Sequence, residues 1–300
     1  MKYIMVILCC LLLFSCSRPQ PHTLIIGLIK PALNHLPLQY ALENIPGDHS
    51  AYKIEYFHSG WETNEALVAG RIDVAIMPFT YIWMDVSQGK KVKIISFFER
   101  ESDGIIASSQ FTSLAQLQNG KLGVLKSSTL EIIPEMVFNQ KHLKLPEIVP
   151  FRTPMDMAAA LQAGEVDALS YYVPSIFNLP ADFKIINWYG STFPQHTCCN
   201  IAATEKAIKL KKDLLKDFLG TLKNSLSQFH SDREQVIATA QKFYGLERKN
   251  VMQSLEHTGY ILGLQGAGIE FEQKAAELMF AKGYLKRKVK ADEVYYPLQP

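Results

Sequence analysis

The sequence has few cysteines outside its first sixteen residues, and this excludes a fold stabilised by disulfides. Of its five cysteines, only Cys198 and Cys199 lie beyond Cys16. Neighbouring cysteines seldom bridge each other because the resulting ring is strained, and neither of these has a distant partner. The same shortage predicts no zinc site and no other metal site. Within TCCNIAA we expect both residues to be small buried members of a strand, with a reactive pair as the alternative.

An excess of charge of one sign is also missing. The 300 residues include 31 basic and 29 acidic side chains, which leaves a net charge of +2 and no electrostatic case for binding nucleic acid. The basic run at 286–290 is typical of a solvated tail. With 48% hydrophobic and 20% charged residues, the composition is that of a globular protein long enough for two domains.

The N-terminal apolar run is too short to span a bilayer. Residues 4–14 follow Lys2 and number 11, whereas a spanning helix needs about 20. A short basic region before such a run is typical of a secretion signal. The run ends in Leu-Phe-Ser-Cys, which resembles the bacterial lipobox. It predicts a signal peptide at 1–15, lipid on Cys16, a tether at 16–22, and a membrane-anchored body in the periplasm or on the cell surface. The alternative is a soluble secreted protein with an ordinary signal.

Two similar stretches organise the body of the chain. ALVAGRIDVAIMPFTYIW at 66–83 and ALQAGEVDALSYYVPSI at 160–176 share one frame. Each predicts a helix that ends at a glycine with positive φ, then a short buried parallel strand. Ligands of open parallel sheets bind beyond the carboxyl ends of the strands. Two such units therefore indicate two lobes that face a shared cleft.

Each of these strands begins with an aspartate, Asp73 or Asp167. The amino end of a buried strand is far from the ligand edge. We therefore expect both carboxylates to be structural and to bind backbone N–H groups.

Helical and strand patterns alternate from residue 24 to a first crossing strand at 104–109, and again to a second crossing strand at 196–204. Four helical patterns then follow, at 205–229, 233–243, 248–258 and 270–282. These helices have no sheet of their own, so we expect them to pack on the first lobe. The prediction is an α/β protein with lobe 1 at 23–103 and 200–300 and lobe 2 at 104–199.

The order of these elements carries a resemblance to a known family. Together with AGRIDVAIM, AGEVDALSY, SLAQLQNGK before GVLKSST, and AAELMFAKGYLKRKV, it resembles the substrate-binding proteins of ABC importers. The most similar branch includes nitrate, sulfonate, taurine and thiamine-pyrimidine-precursor binders. The resemblance implies a type II periplasmic-binding fold with two hinge crossings. It also implies a monomer that holds a small solute without a cofactor and delivers it to a membrane permease, or alternatively to a sensor.

The candidate ligand-binding residues follow the predicted strands. Lys30 and Pro31 occupy one lip of the cleft, and Trp61 lies at a helix start where it could stack on a ring. The other candidates on this basis are Phe79, Thr80, Tyr81, Tyr171, Tyr172 and Cys198. Aromatic side chains favour a planar ligand, so we expect a small thiamine-pyrimidine-like heteroaromatic. About half of these aromatics could instead be core residues.

The turn Lys126–Thr129 supports the alternative ligand, an alkanesulfonate or a similar small anion. Ser127, Ser128 and Thr129 lie between a strand and a helix, where free N–H groups and the helix dipole favour an anion. One of these residues could instead merely cap the helix.

A second set of candidate polar groups lies near the predicted hinge crossings. Glu101 and Asp103 lie near the first crossing and could receive an amino group, and we expect His196 and Cys198 to lie close to them. HTCCN resembles, faintly, the cysteine motif of yeast-type pyrimidine synthases. The longer cysteine run of those enzymes is absent and an export signal is present, so we expect that the protein is not an enzyme.

Overall fold

The structure is a computed structural model that describes residues 23–30 and 32–299. The expected signal peptide, tether, lipidated Cys16 and Pro31 all lie outside the described residues, and those expectations stay predictions. In the described part of the chain, no helix combines the length and the hydropathy needed to cross a membrane.

The described residues form strands at the following positions: β1 (Leu24–Ile29), β2 (Tyr52–Phe57), β3 (Val74–Pro78), β4 (Val92–Phe97), β5 (Glu99–Glu101), β6 (Asp103–Ser108), β7 (Lys121–Leu125), β8 (Glu147–Phe151), β9 (Ala168–Tyr172), β10 (Phe183–Trp188), β11 (Cys199–Thr204) and β12 (Thr258–Tyr260).

They form helices at these positions: α1 (Leu36–Asn44), α2 (Gly60–Val68), α3 (Phe79–Ser87), α4 (Leu114–Leu117), α5 (Thr129–Gln140), α6 (Pro154–Gln162), α7 (Glu205–Leu210), α8 (Lys212–Phe229), α9 (Arg233–Tyr244), α10 (Arg248–Glu256), α11 (Gly266–Ala281) and α12 (Ala291–Val294).

Two five-stranded sheets form the two halves of the molecule. The first has the order β2-β1-β3-β11-β4 and the second the order β10-β6-β9-β7-β8. Both are mixed: the strands of the two repeated stretches have the expected parallel neighbours, β1 beside β3 and β7 beside β9, but the crossing strands are antiparallel. The reason is that each crossing strand enters the other half reversed: β6 is antiparallel to β10 and β9, and β11 to β3 and β4. We keep 23–103 with 200–300, and 104–199, as the proposed lobes 1 and 2.

The two repeated stretches fold as expected. Gly70 and Gly164 end α2 and α6 with φ values of +70° and +73°. Asp73 Oδ2 accepts a hydrogen bond from the backbone N–H of Ile25 at 2.8 Å, and Asp167 Oδ2 from that of Lys121 at 2.7 Å. The structural role of both aspartates is confirmed, because each ties its strand to the neighbouring parallel strand.

The C-terminal helices pack on lobe 1, as predicted, but their bounds differ from the prediction. The expected helix at 205–229 is broken at Lys211, whose φ of −130° is not helical. Its Nζ atom instead donates to Asp73 Oδ2 at 2.6 Å and to the Thr23 carbonyl at 2.8 Å. This half-buried cation thus fixes the start of α8 against the amino end of β3.

The hinge contains a third, two-stranded sheet that the sequence did not indicate. β5, which follows β4 directly, pairs antiparallel with β12 from the C-terminal region. The last helices also reach lobe 2: Lys282 Nζ lies 2.6 Å from Glu135 Oε2 on α5. The C-terminal segment therefore braces the crossing as well as covering the first sheet.

Candidate functional site

The strand ends of both sheets meet at one pocket. We call it the inner pocket, and its lining includes Asn34, Ser59, Pro78, Glu99, Ser102, Ser128, Thr129, Tyr172, Cys198 and Cys199. Pro78 ends β3 and Tyr172 ends β9, the strands of the two repeated stretches. The prediction that both stretches point at one shared cleft is confirmed. The cavity has a volume of about 60 Å³, so the two lobes lie close together here.

A carboxyl group and two thiols form the floor of the inner pocket. Glu99, Cys198 and Cys199 are all buried, and one ligating atom from each lies within 4.8 Å of the others. Glu99 begins β5, and Cys199 begins β11, the strand that returns from lobe 2; Cys198 directly precedes it. Asn34 Nδ2 donates to Cys199 Sγ at 3.4 Å, and Thr129 Oγ1 lies 3.6 Å from Cys198 Sγ.

Burial keeps these three groups protonated at neutral pH. It raises the pKa of Glu99 to about 8. A hydrogen bond with Cys199 and then burial raise the pKa of Cys198 well above its usual value, and burial raises the pKa of Cys199. A reactive cysteine needs a lowered pKa, so this environment is the opposite of that of an activated nucleophile.

A buried ion pair joins the two hinge crossings next to this floor. His196 Nε2 lies 2.8 Å from Asp103 Oδ1, and both side chains are fully buried. Burial alone would lower the pKa of His196, but the Asp103 carboxylate outweighs it and the net shift is upward. Cys198 Sγ donates to Asp103 Oδ2 at 3.6 Å. The expected proximity of Asp103, His196 and Cys198 is confirmed.

Glu101, the other expected hinge carboxylate, faces a different partner. Its Oε1 atom accepts a hydrogen bond from the backbone N–H of Gln195 at 2.7 Å. Glu101 therefore ties the two crossings together through the backbone.

The N-terminal turn of α5 is already occupied by groups of the protein. The Ser127 N–H donates to Glu131 Oε2 at 2.6 Å, and Ser128 Oγ accepts from the Leu130 N–H at 3.1 Å. Ser128 is thus the helix cap, the alternative left open by the sequence. Because a carboxylate of the helix itself lies where an anion would bind, this turn is a poor site for a sulfonate.

The tyrosines lie on both sides of the cleft, as expected. Tyr172 lines the inner pocket and remains partly exposed. Burial raises the pKa of its phenol to about 12, so the hydroxyl stays neutral and can donate a hydrogen bond. Tyr171 donates to the Pro154 carbonyl at 2.9 Å within lobe 2. The hydroxyl group of Tyr81, from lobe 1, lies 3.5 Å from the carbonyl oxygen of Lys126, from lobe 2.

Phe79 and Thr80 do not face the cleft, and their prediction as ligand-binding residues is wrong. Both side chains are fully buried in lobe 1. α3 begins at Phe79 without a connecting loop, so its first side chains turn into the core. The Phe79 ring packs edge-on against Phe271 of α11, with 6.3 Å between the centroids.

Trp61 and Lys30 lie outside the inner pocket, in two flanking grooves. Trp61 is 59% exposed and lines what we call the outer groove, with Tyr81, Lys126, Ser127 and Arg152. Lys30 lines a groove on the other side, with Tyr171, and its Nζ atom lies 3.9 Å from the centroid of Tyr56. Trp61 does not line the inner pocket, and its expected stacking on a flat ring stays a prediction.

Sequence reasoning missed several residues that line the inner pocket and come from different parts of the chain. Glu99, Asn34 and Ser102 line the inner pocket but were not among the candidates. Glu99 lies two residues beyond the buried strand β4, and a carboxyl group near the carboxyl end of such a strand was the available signal. Asn34 ends the stretch 30–34 that the sequence places at one lip of the cleft, but only Lys30 and Pro31 were chosen from it; Asn34 lies in a short 3-10 turn at Leu33–His35.

The comparisons with known proteins agree with this architecture. The profile of the NMT1/THI5-like family matches residues 54–236. The chain belongs to the NMT1/THI5-like family. No curated protein matches the sequence significantly.

Among solved structures, the chain is similar to the alkanesulfonate-binding protein of Xanthomonas axonopodis pv. citri bound to MOPS. The identity is 20% and the TM-score 0.79, over 93% of this chain and 99% of that one. For the periplasmic aliphatic sulphonate binding protein of Escherichia coli the identity is 21% and the TM-score 0.75, over 93% and 94%. The chain is also similar to a ligand-binding component of an ABC-type import system of Staphylococcus aureus, solved with zinc bound. There the identity is 19% and the TM-score 0.76, over 92% of this chain and 97% of that one.

Identities this low show the fold alone. The expected two-lobe periplasmic-binding-protein fold is thereby confirmed.

Proposed function

We propose that this member of the NMT1/THI5-like family is the extracytoplasmic solute-binding lipoprotein of an ABC importer. It captures a small heteroaromatic ligand of the thiamine-pyrimidine class in the inner pocket and delivers it to a permease in the cytoplasmic membrane. Cys16 carries the lipid anchor, and the protein acts as a monomer. The fold supports the binding role, because ligands of two-lobe proteins bind where the strand ends face each other and are enclosed by hinge closure.

The charge of the inner pocket carries the proposal on the ligand. The described residues that line this pocket include Glu99 but no lysine or arginine. The Asp103 carboxylate lies directly behind Cys198. Glu99 is protonated and the Asp103 carboxylate is already paired with His196, so a bare anion would lose its hydration in this pocket without gaining a cationic partner. An aminopyrimidine instead offers N–H donors to Glu99 and a ring face to Tyr172.

An alkanesulfonate remains the second candidate, and the outer groove favours it. Lys126 and Arg152 from lobe 2 lie there beside the exposed Trp61. An anion would then bind to these two cationic side chains in the outer groove rather than to the backbone N–H groups of the α5 turn. The expectation that the protein is not an enzyme stays a prediction.

A matched pair of aromatic substitutions tests the proposal. The purified protein is screened by thermal shift and calorimetry against aminopyrimidines, flavins, alkanesulfonates and small anions. A ligand that binds only the folded state raises the apparent melting temperature. We expect an aminopyrimidine to bind, and Tyr172→Ala to weaken its binding about tenfold through loss of ring contact.

Trp61→Ala is the control for this experiment, because Trp61 lies in the outer groove. It should leave the binding of the aminopyrimidine unchanged. Binding of sulfonates alone, weakened by Trp61→Ala or Arg152→Ala and unaffected by Tyr172→Ala, would contradict the proposed ligand class and establish the second candidate.

A further inference from the structure

The floor of the inner pocket brings together a set of groups that heteroaromatic binding does not need. A planar ligand with N–H donors requires an acceptor and an aromatic face, and Glu99 with Tyr172 supplies them. The two thiols beside Glu99 remain without a role in that account. Both are buried, and neither belongs to a disulfide.

We propose that Glu99, Cys198 and Cys199 bind a thiophilic divalent cation of the zinc and cadmium type. A tetrahedral zinc ion has bonds of about 2.3 Å to sulfur and about 2.1 Å to carboxylate oxygen, so its ligand atoms lie roughly 3.5–3.8 Å apart. The three ligand atoms of this cluster already lie within 4.8 Å of one another.

Each of the two sulfurs has a neighbouring group that can donate a hydrogen bond to it. Asn34 donates an amide N–H to Cys199 Sγ at 3.4 Å, and the Thr129 hydroxyl lies 3.6 Å from Cys198 Sγ. Hydrogen bonds of this kind orient ligands and stabilise the negative charge of a coordinated sulfur. Because Asn34 is on lobe 1 and Thr129 on lobe 2, both halves of the molecule support the cluster.

The position of the cluster leaves one coordination site open. All three residues line the inner pocket, so the fourth position points toward the cleft and is available to water or a solute. Three protein ligands with one open position differ from a closed structural site, which has four. Each thiol gives up its proton to solvent on binding, as does Glu99, so that the bound cation is held by two thiolates and a carboxylate.

Titration with Cd²⁺ tests the proposal on the purified protein with its thiols reduced. Thiolate ligands give a sulfur-to-cadmium charge-transfer band in the ultraviolet. We expect this band to saturate at one Cd²⁺ per protein with the intensity of two thiolates. An excess of Zn²⁺ should compete with Cd²⁺ for the site, and bound Zn²⁺ should protect Cys198 and Cys199 from alkylation, a readout that needs no substitution.

Three variants separate the cluster from its neighbours. Cys198→Ser and Cys199→Ser should each reduce the band by half or more, and Glu99→Gln should weaken binding at least tenfold. Glu101→Gln is the matched control, because its carboxylate is on the same strand but is held by Gln195; it should leave binding unchanged. Tyr172→Ala, which tests the proposed solute, should also leave Cd²⁺ binding unchanged, so the two proposals fail independently.

Other results would overturn the proposal. The first is the absence of the charge-transfer band in protein whose two thiols are shown to be free. The second is a band that persists in both serine variants, and the third is alkylation that zinc does not slow. The fourth is a disulfide between Cys198 and Cys199 in the native protein.

Discussion

His35 lies next to the pocket-lining Asn34, and its imidazole is completely buried. Its Nδ1 atom is 2.8 Å from Asn34 Oδ1, and within the described residues its Nε2 atom has no partner. Burial, with a smaller effect from Lys30, lowers the pKa of His35 from 6.5 to about 3. The folded state therefore holds this ring neutral at pH values where the unfolded chain protonates it.

This burial predicts a loss of stability in mild acid. The folded pKa lies below the unfolded pKa, so the unfolded state binds the extra proton, and stability falls as pH decreases from 6.5 toward 3. Between pH 7 and pH 5 we expect His35 to account for a decrease of about 2 kcal/mol in the free energy of unfolding. Urea unfolding at the two pH values measures it.

His35→Gln should remove that part of the pH dependence, whereas His142→Gln, at an exposed position, should not. An equal decrease in the wild type and in His35→Gln would show that the ring is not buried in its neutral form.

Single residues also show where sequence reasoning succeeds. The roles of Asp73 and Asp167 followed from a local pattern, since each contacts the strand beside it. Glu99, Asn34 and Tyr172 meet only because three distant segments end at one point, and no local spacing encodes that. Phe79 shows the opposite error: a residue just after a strand was assigned to the cleft, although the helix that starts there turns it inward.

At the scale of elements, Glu272 on α11 holds several of them together. Its carboxylate accepts hydrogen bonds from Trp83 Nε1 on α3 at 3.1 Å, Asn200 Nδ2 on β11 at 2.6 Å, and the Tyr295 hydroxyl near the C-terminus at 2.6 Å. All four side chains are buried. This single group ties the C-terminal segment to the first sheet.

Glu272→Ala should therefore strongly destabilise the protein. It leaves three buried donors without an acceptor, and each unsatisfied group costs about 1–3 kcal/mol, so we expect a loss of roughly 3 kcal/mol or more. Chemical denaturation measures the loss. Glu277→Ala, at an exposed position of the same helix, is the control and should change stability little. Similar stabilities of the two variants would refute the bracing role of Glu272.

The order of the elements was predictable because helix and strand patterns are local. The mixed sheets were not, since the pairing of β6 and β11 depends on partners far away in sequence. The break at Lys211 was missed for a related reason: the helical pattern continues through it, and the competing contact is with Asp73, 138 residues earlier.

At the scale of the whole molecule, the two lobes meet through contacts of different kinds. The buried pair of Asp103 and His196 and the strand pair β5–β12 join the crossings, and Lys282 with Glu135 braces one side. Beside the Asp103–His196 pair, the strand ends converge on the inner pocket. Hinge opening would admit a solute to that pocket and closure would bury it, which is how a partner can distinguish the loaded form.

A structure of the protein crystallised with an aminopyrimidine tests the central claim most directly. We expect the ring to lie in the inner pocket, with its face on Tyr172 and an amino group within hydrogen-bond distance of Glu99. A ring bound in the outer groove beside Trp61, or on any surface away from the meeting strand ends, would contradict the account.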